Sequence, residues 1–407
     1  MNLLFVANRF PYPPHRGDKL KIFNLARQLS RNHNLYLITF IQDKNDYQYL
    51  DELGKYFKKI DVIYLPEIRS AINCVAGFFS SIPFQVNYFK SHEFEKRLND
   101  IISNYDIDAI HTQHLRMSQY TSKIKNIPTI LDLPDAYSLY WKRRSNLCCN
   151  YFKKKLELLE HKKVMEYESI IKNFDMTLVC SNEDKTILEI EHDYDSVNIL
   201  PNGIDISTFH SDFHDYSMNN RIIFTGNMDY FPNIDAAVYF TEEIFPEVLK
   251  KFPDVKFYIV GQKPPQRVRD LQSDNIIVTG FVDSIADEYE SSSIAVSPVR
   301  VGAGTLNKVL EPMAMGLPVV SSQIGFEGIG ASHGEEILLA KDKNEFVNSI
   351  TNLLSDENYR RYIGESGKNH VIRNFSWEKV ADTLENYFYS ICDQEKSMKS
   401  FALQNAG

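Results

Sequence analysis

The chain has 407 residues, more than a single ordinary core accommodates, so two domains are expected. Its composition, 43% hydrophobic and 24% charged, is typical of a soluble globular protein, and its net charge of −9 argues against binding to nucleic acid. The five cysteines show no metal-ligand spacing and predict reduced thiols, as in a cytosol.

Short apolar runs alternate with helical patterns through the first half of the chain. The runs are residues 3–7, 35–40, 62–65, 109–112, 129–133 and 176–181, and the helical patterns are roughly 18–30, 46–56, 92–104 and 151–171. Strands that are apolar on both faces and joined by helices predict a parallel sheet. The first run is read as a strand because no basic leader precedes it. Polar residues interrupt the apolar stretch 71–89 too often for a membrane span.

The proline-rich loop after the first strand ends at Gly17, where a helix is expected to begin. Arg16 and the free backbone amides at Gly17 predict an anion site, because a helix amino terminus attracts negative charge. An ordinary turn with Asp18 as the helix N-cap is the alternative, and the sequence leaves both open.

Polar residues follow the fourth and fifth predicted strands. His114 comes after the fourth strand and is a candidate catalytic residue, whereas His111 lies within the strand and is expected in the core. Asp132 and Asp135 end the fifth strand and predict carboxylates at the same sheet edge. The DxD pattern at 106–108 precedes its strand, so it is read as a turn rather than a metal–diphosphate signature.

A polar segment from about 199 to 220 is the predicted linker to a second alternating region. Its strands are expected at 222–225, 256–260, 276–279, 294–296, 319–321 and 337–339. Two final helices, near 357–371 and 377–390, are long enough to pack back across the first domain, and the tail from 395 is expected to fray. The predicted boundaries are 1–205, 206–375, and 376–407 for the returning helix and tail.

A strand, a glycine loop, a helix and a second strand fill residues 297–322. Gly302 and Gly304 let backbone amides approach an anion, and Lys308 in the first helical turn can reach the same anion. Glu311 lies on the same helix face as Lys308 and can accept hydrogen bonds from hydroxyls. A sugar nucleotide fits this combination, although a solvated Lys–Glu pair is the ordinary alternative.

Several segments resemble the retaining glycosyltransferases of family four. They are residues 202–205 (NGID), 225–228 (TGNM), 279–282 (TGFV) and 308–320 (KVLEPMAMGLPVV), and the similarity covers nearly the whole chain. The resemblance implies an α/β protein of the GT-B fold, with two Rossmann-like domains facing across a cleft. It also implies that a C-terminal helix packs back on the N-terminal domain.

The resemblance also implies roles for individual residues. Glu311 corresponds to the glutamate that holds the nucleotide ribose, and the loop Gly302, Ala303, Gly304 and Thr305 to the one that meets the donor. Phe281 and Val282 correspond to the backbone beside the base. Gly17 corresponds to the glycine loop of the first domain, and His114 to the cleft histidine.

Two departures from the family pattern concern charge. Ala303 stands where the family's EX7E motif has its first acid, and Gly226 and Asn227 stand in a loop that usually carries Arg and Lys. Arg300 and Lys308 are therefore expected to supply the cations for the donor diphosphate.

The predicted function is a retaining, metal-independent hexosyltransferase with no cofactor. It would move a sugar from a UDP- or GDP-sugar donor to a cell-envelope or polysaccharide acceptor, which could be lipid-linked. Asp135, Gly226 and Asn227 are added as substrate-binding candidates. Two alternatives stay open: a sugar-nucleotide 2-epimerase of the same fold, and a catalytically silent nucleotide-binding subunit.

Charge is unevenly distributed along the chain. Residues 1–170 contain 25 Lys and Arg against 18 Asp and Glu, whereas the remainder carries a net charge of −16. Basic clusters near 142–144 and 153–155, together with aromatics near 78–84, predict a cytoplasmic protein associated with the anionic inner face of the plasma membrane. A solvated helix face is the alternative.

Overall fold

The computed structural model describes the chain except residues 15–16, 148–150, 219, 303 and 406–407, and it gives only the backbone of 18, 146–147 and 396–405. The chain forms two compact units. The first comprises Met1–Pro201 and Trp377–Gly407, and the second comprises Asn202–Ser376. Each unit is described separately below.

The first unit contains a seven-stranded parallel sheet. Its strands are β1 (Asn2–Ala7), β2 (Asn34–Ile41), β3 (Phe57–Tyr64), β4 (Ala109–Gln113), β5 (Thr129–Asp132), β6 (Met176–Val179) and β7 (Val197–Ile199). The strand order is β3-β2-β1-β4-β5-β6-β7. The direction of winding therefore reverses between β1 and β4, and open α/β sheets bind ligands beyond the strand ends at such a reversal.

Nine described helices connect these strands. They are α1 (Gly17–Leu29), α2 (Leu50–Gly54), α3 (Glu67–Ala76), α4 (Phe84–Tyr88), α5 (His92–Asn104), α6 (Ser118–Thr121), α7 (Tyr137–Leu147), α8 (Tyr151–Glu168) and α9 (Asn182–His192). The central strands β1, β4, β5 and β6 are buried almost throughout, since helices cover both faces of the sheet.

The second unit contains a six-stranded parallel sheet. Its strands are β8 (Arg221–Thr225), β9 (Lys256–Val260), β10 (Ile276–Gly280), β11 (Ile294–Ser297), β12 (Val319–Ser321) and β13 (Leu338–Leu339). The order β10-β9-β8-β11-β12-β13 reverses between β8 and β11. The two units thus share one winding pattern, each with a single reversal.

Eight α-helices are described in the second unit. They are α10 (Phe231–Tyr239), α11 (Phe245–Lys251), α12 (Gln266–Arg269), α13 (Ile285–Glu290), α14 (Asn307–Ala314), α15 (Gln323–Phe326), α16 (Lys343–Ser355) and α17 (Glu357–Phe375). The last helix, α18 (Trp377–Asn405), belongs to the first unit. Its apolar residues recur at helical spacing (Trp377, Val380, Ala381, Leu384, Phe388 and Ile391) and join the core that includes Ile22 and Leu25 of α1. Among the described helices, none is long and apolar enough to cross a membrane.

The predicted α/β architecture is confirmed, although several elements of the first unit differ from the prediction. Strand β7 was not predicted, because Val197–Ile199 is short and half-exposed. Strand β3 begins at Phe57, five residues before the predicted start, because exposed lysines on this edge strand interrupt its apolar pattern. The predicted helix at 46–56 is a 3₁₀ turn at Lys44–Tyr49 followed by the short α2.

Candidate functional site

The candidate site of the second unit lies at the winding reversal between β8 and β11. Gly226 and Asn227 follow β8, and residues 300–305 connect β11 to α14. Both segments therefore leave the sheet at its carboxyl edge, the usual position of ligands in parallel sheets. The glycine loop, Lys308 and Glu311 are built onto this edge.

One amide side chain ties the two segments together. Asn233, in the first turns of α10, accepts a hydrogen bond from the Lys308 ammonium through Oδ1. Its Nδ2 donates to the Asn227 carbonyl over 2.8 Å. A Cβ atom at Gly226 would lie 2.7 Å from Asn233 Nδ2, so a larger residue at this position would displace the Asn233 amide. Lys308 is thereby held beside the loop that follows β8.

Glu311 is held by a second hydrogen-bonded chain. The Tyr289 hydroxyl donates to Glu311 Oε2 over 3.1 Å and lies 2.6 Å from the Thr225 hydroxyl, at the end of β8. Tyr289 is buried, so its hydroxyl needs such partners. The carboxylate of Glu311 is thus fixed in position while its other oxygen, Oε1, has no bond among those described.

Burial disfavours the charged forms of Lys308 and Glu311. Burial lowers the pKa of Lys308 to about 8, although the Glu311 charge opposes this shift. Burial also raises the pKa of Glu311 to about 7, against the opposing effects of Tyr289 and Lys308. The protein itself solvates these two charges poorly. A ligand that brings an anion to the Lys308 ammonium and hydroxyl groups to the Glu311 carboxylate would therefore stabilise them.

The glycine loop provides the backbone for close approach. Gly304 has φ 72°, which side-chain-bearing residues rarely adopt, and Gly302 has φ 156°. Thr305 is buried, and its carbonyl accepts from Asn202 Nδ2 over 3.1 Å. Ala303, the residue in place of the family's first acid, lies outside the described residues.

Arg300 bonds to a different residue of α10 than Lys308 does, and Phe281 and Val282, predicted to lie beside the base, follow a different strand. The Arg300 guanidinium pairs with both oxygens of Asp235, at 2.9 and 2.6 Å, and stacks 4.4 Å from the Tyr239 ring centre. Phe281 is 72% exposed and follows β10, two strands from β8. Val282 beside it is half-buried. The structure therefore gives Arg300 and Lys308 different partners on α10.

The first unit places its candidates around the corresponding carboxyl edge. Helix α1 begins at Gly17, where a Cβ atom would meet nothing within 4 Å, and Arg16 lies outside the described residues. His114 follows β4 with φ 81° and is buried, and the Tyr137 hydroxyl contacts both of its ring nitrogens. Burial, Arg116 and Arg9 hold the pKa of His114 well below its usual value, so the imidazole is neutral near pH 7.

Of the two carboxylates predicted at this edge, that of Asp132 is buried and bonded to side chains of the protein itself. Its oxygens bond the Lys21 ammonium at 2.7 Å and His111 Nε2 at 3.1 Å, and all three side chains are buried. His111 is thus the core residue that its position predicts. Asp135 is half-buried, and burial together with the nearby Asp184 raises its pKa well above the usual value.

Three residues of the site in the second unit were missed by sequence reasoning. Asn233 lies 75 positions from Lys308, and Tyr289 lies 22 positions from Glu311. Thr225 reaches the pair through the Tyr289 hydroxyl. The available signal was weak: a tyrosine in a short acidic helix, and an asparagine after a proline at a helix start.

In the described part of the chain, the side chains close enough to share a metal ion are Glu168, Glu191 and His192, on α8 and α9 of the first unit.

Comparison with known proteins finds similarity to glycosyltransferases. Residues 219–356 match the family described as "Glycosyl transferases group 1". A Klebsiella pneumoniae relative named "Uncharacterized 44.6 kDa protein in cps region" is 27% identical, over 94% of this chain and 98% of its own. An uncharacterized glycosyltransferase of Methanocaldococcus jannaschii is 23% identical, over 93% and 95%.

The fold is that of a solved structure that contains a bound nucleotide and a sugar. Anabaena HepE in complex with UDP and glucose superposes with a TM-score of 0.66 at 14% identity, over 96% of this chain and 100% of HepE. Both units have the parallel α/β sheets of the GT-B fold. The sequence matches and the fold together support a GT-B glycosyltransferase.

Proposed function

We propose that the chain is a retaining hexosyltransferase that uses a UDP- or GDP-sugar donor and a cell-envelope or polysaccharide acceptor. The cps region in the name of the Klebsiella relative is in keeping with polysaccharide biosynthesis. The UDP and glucose bound by HepE support a nucleotide diphosphate sugar as donor.

The observation that carries the proposal is the pairing of Lys308 and Glu311 at the winding reversal of the second unit. We assign the Lys308 ammonium and the amides of the Gly302–Gly304 segment to the donor diphosphate. We assign the Glu311 carboxylate, oriented by Tyr289, to the ribose hydroxyls. Phe281 and Val282 are assigned to the base, and Gly226, Asn227 and Thr305 line the donor.

Transfer of the sugar requires that the departing nucleotide diphosphate be stabilised. Negative charge grows on the diphosphate oxygen as the sugar departs, and fixed donors in a desolvated site stabilise that charge. Lys308 and the loop amides supply such donors, with Arg300 as a second cation once it exchanges Asp235 for the ligand. Because these groups carry the positive charge themselves, we propose turnover without a metal ion.

The first unit supplies the groups proposed for the acceptor. His114 is neutral and held by Tyr137, so it offers one ring N–H and one lone pair rather than a charge. Arg16 and Gly17 are proposed to bind acceptor or donor anions at the start of α1, and Asp135 to bind hydroxyls. Peripheral association with the cytoplasmic face of a membrane completes the proposal.

Incubation with a panel of nucleotide sugars tests this function. Transfer to a glycan or lipid acceptor, with the donor's anomeric configuration retained in the product by NMR and with activity unaffected by EDTA, is the expected result. Formation of an epimer without acceptor would favour the epimerase instead. Tight nucleotide binding with no turnover on any acceptor would indicate a binding subunit.

A further inference from the structure

A cavity of about 620 Å³ lies beyond the carboxyl edge of the sheet in the first unit. This volume falls within the roughly 300–1,000 Å³ that small-molecule sites enclose. Arg9, two residues after β1, and Arg116, three residues after β4, both line it. The cavity therefore lies at the winding reversal of the sheet, where ligands are expected.

The lining combines apolar side chains with an excess of positive charge. Val75, Phe78, Phe84, Trp141 and Leu156 provide much of the apolar surface. Four lining residues are basic and two are acidic: Arg9, Arg116, Arg144 and Lys153 against Glu157 and Glu160. Glu160 accepts from the amides of Phe84 and Gln85 at 2.9 and 3.2 Å, and Glu157 Oε1 accepts from Arg144 at 2.9 Å. The other oxygen of Glu157, Oε2, is buried without a hydrogen-bond partner among the described residues.

Two lining residues also carry buried donors. Within the part of the chain that the structure describes, Gln85 Nε2 and Trp141 Nε1 are buried and have no hydrogen-bond partner. A buried donor without an acceptor is costly and calls for an explanation. An anion with several acceptor oxygens would satisfy both donors and would be attracted by the positive charge of the lining arginines.

We propose that this cavity binds a lipid phosphate or diphosphate. The phosphate would lie at Arg9 and Arg116, and the first carbons of the lipid tail would pack against Val75, Phe78 and Trp141. The proposal rests on the proposed function, because the occupant would be the acceptor of the sugar. A free glycan fits less well, since its hydroxyls need many polar partners and the lining is mostly apolar.

The surface around the cavity identifies a bilayer as the source of the lipid. On one side of α3 and the turn after it, Ile68, Ile72, Val75 and Phe79 are 62–94% exposed. Across the cavity, Tyr151 and Phe152 at the start of α8 are also exposed, beside the lysines at 153–155. Exposed apolar side chains beside cations suit contact with anionic headgroups.

Calorimetry on the full chain tests the proposal with three probes: decyl phosphate below its micelle-forming concentration, decanol, and inorganic phosphate. Decyl phosphate should bind at least about tenfold more tightly than either of the other two, because only it engages both the apolar and the cationic lining. Comparable affinity for inorganic phosphate alone, or for decanol alone, would overturn the proposal.

Matched variants locate the site. Val75→Asp and Arg116→Gln should each weaken decyl phosphate binding by about tenfold. Ile190→Asp, at an equally exposed apolar residue of α9, and Arg97→Gln, on the surface of α5, should leave it within about twofold. Equal losses in the control variants, or none in the cavity variants, would contradict the assignment.

Nucleotide binding measured on the same variants separates the two proposals. All four variants should bind the nucleotide sugar as the unaltered chain does, because none of the four altered residues is assigned to the donor. Absence of nucleotide binding in the unaltered chain would contradict the donor site, while the decyl phosphate result would still decide the cavity.

Discussion

Each unit holds a lysine and a carboxylate near the carboxyl edge of its sheet, and the net pKa shifts of the two pairs are opposite in direction. In the first unit, Asp132 raises the pKa of Lys21 despite burial, and Lys21 and His111 lower that of Asp132 despite burial. In the second unit, burial prevails, so the pKa of Lys308 is lowered and that of Glu311 is raised.

The difference follows from the geometry of each pair. Lys21 and Asp132 are in direct contact at 2.7 Å, and the Leu200 carbonyl accepts from the same ammonium at 3.1 Å. Lys308 and Glu311 bond instead to the neutral side chains of Asn233 and Tyr289. The first pair is complete within the fold, whereas the second keeps charges that a ligand can still stabilise. We infer that Lys21–Asp132 is structural and Lys308–Glu311 functional.

The largest expected effect is on stability, from Asp132→Ala. Removing this carboxylate leaves the Lys21 charge buried without its partner, which costs about 3–5 kcal/mol of unfolding free energy. Urea unfolding measures the change, with Asp100→Ala on the exposed face of α5 as a control expected within about 0.5 kcal/mol. A loss as small as that of the control would show that Asp132 is not structural.

The stabilisation by Asp132 should also depend on pH. Because the folded-state pKa is below that of the unfolded chain, the contribution is fully present above the unfolded value of 3.8 and is lost as pH falls through the lower folded value. Acid unfolding of Asp132→Ala should therefore have a shallower pH dependence in that range than unfolding of the unaltered chain.

Lys308→Met should reduce turnover by about 100-fold, as expected when a fixed donor to developing negative charge is removed. Its melting temperature should stay the same or rise. The lowered pKa means that the charged ammonium destabilises the fold below about pH 8, and that this cost disappears as pH rises toward the unfolded value of 10.5. Lys250→Met, on the exposed surface of α11, is the matched control. A clear drop in melting temperature would make Lys308 a structural residue.

Affinity for a nucleotide sugar should be greatest between about pH 7 and pH 8. Below this window Glu311 is protonated in the empty site, and above it Lys308 is neutral, so affinity should fall by up to about tenfold per pH unit on either side. Glu311→Gln should abolish the acid limb and Lys308→Met the alkaline limb. A flat profile in the unaltered chain would contradict the assigned protonation states.

The smallest effect concerns the basic residues of the first unit. Changing Lys153, Lys154 or Lys155 singly to Gln should weaken binding to anionic vesicles by about 1 kcal/mol each, and salt should weaken it further. Lys58, Lys59 and Lys123, exposed elsewhere in the same unit, serve as controls and should have little effect. Failure of the unaltered chain to co-sediment at low salt would refute the membrane association.

The sequence allowed the two α/β units to be predicted because their central strands are apolar on both faces. Lys308 and Glu311 could be singled out because their spacing and the glycine loop are local features. Residues such as Asn233 and Tyr289 could not, since their contacts with α14 join positions 22 to 75 apart and depend on tertiary packing. Asp132 was expected to be available to ligands for the same reason: its position at a strand end is local, but its pairing with Lys21 is not.

The central claim is that Glu311 binds the donor nucleotide at the winding reversal of the second unit. Isothermal titration of UDP, GDP and their sugars into the unaltered chain and into Glu311→Ala tests it most directly. At least one nucleotide of this panel should bind the unaltered chain. The variant should lose about 1–3 kcal/mol of that binding free energy, while its melting temperature stays unchanged. Equal affinity in the two proteins would contradict the account.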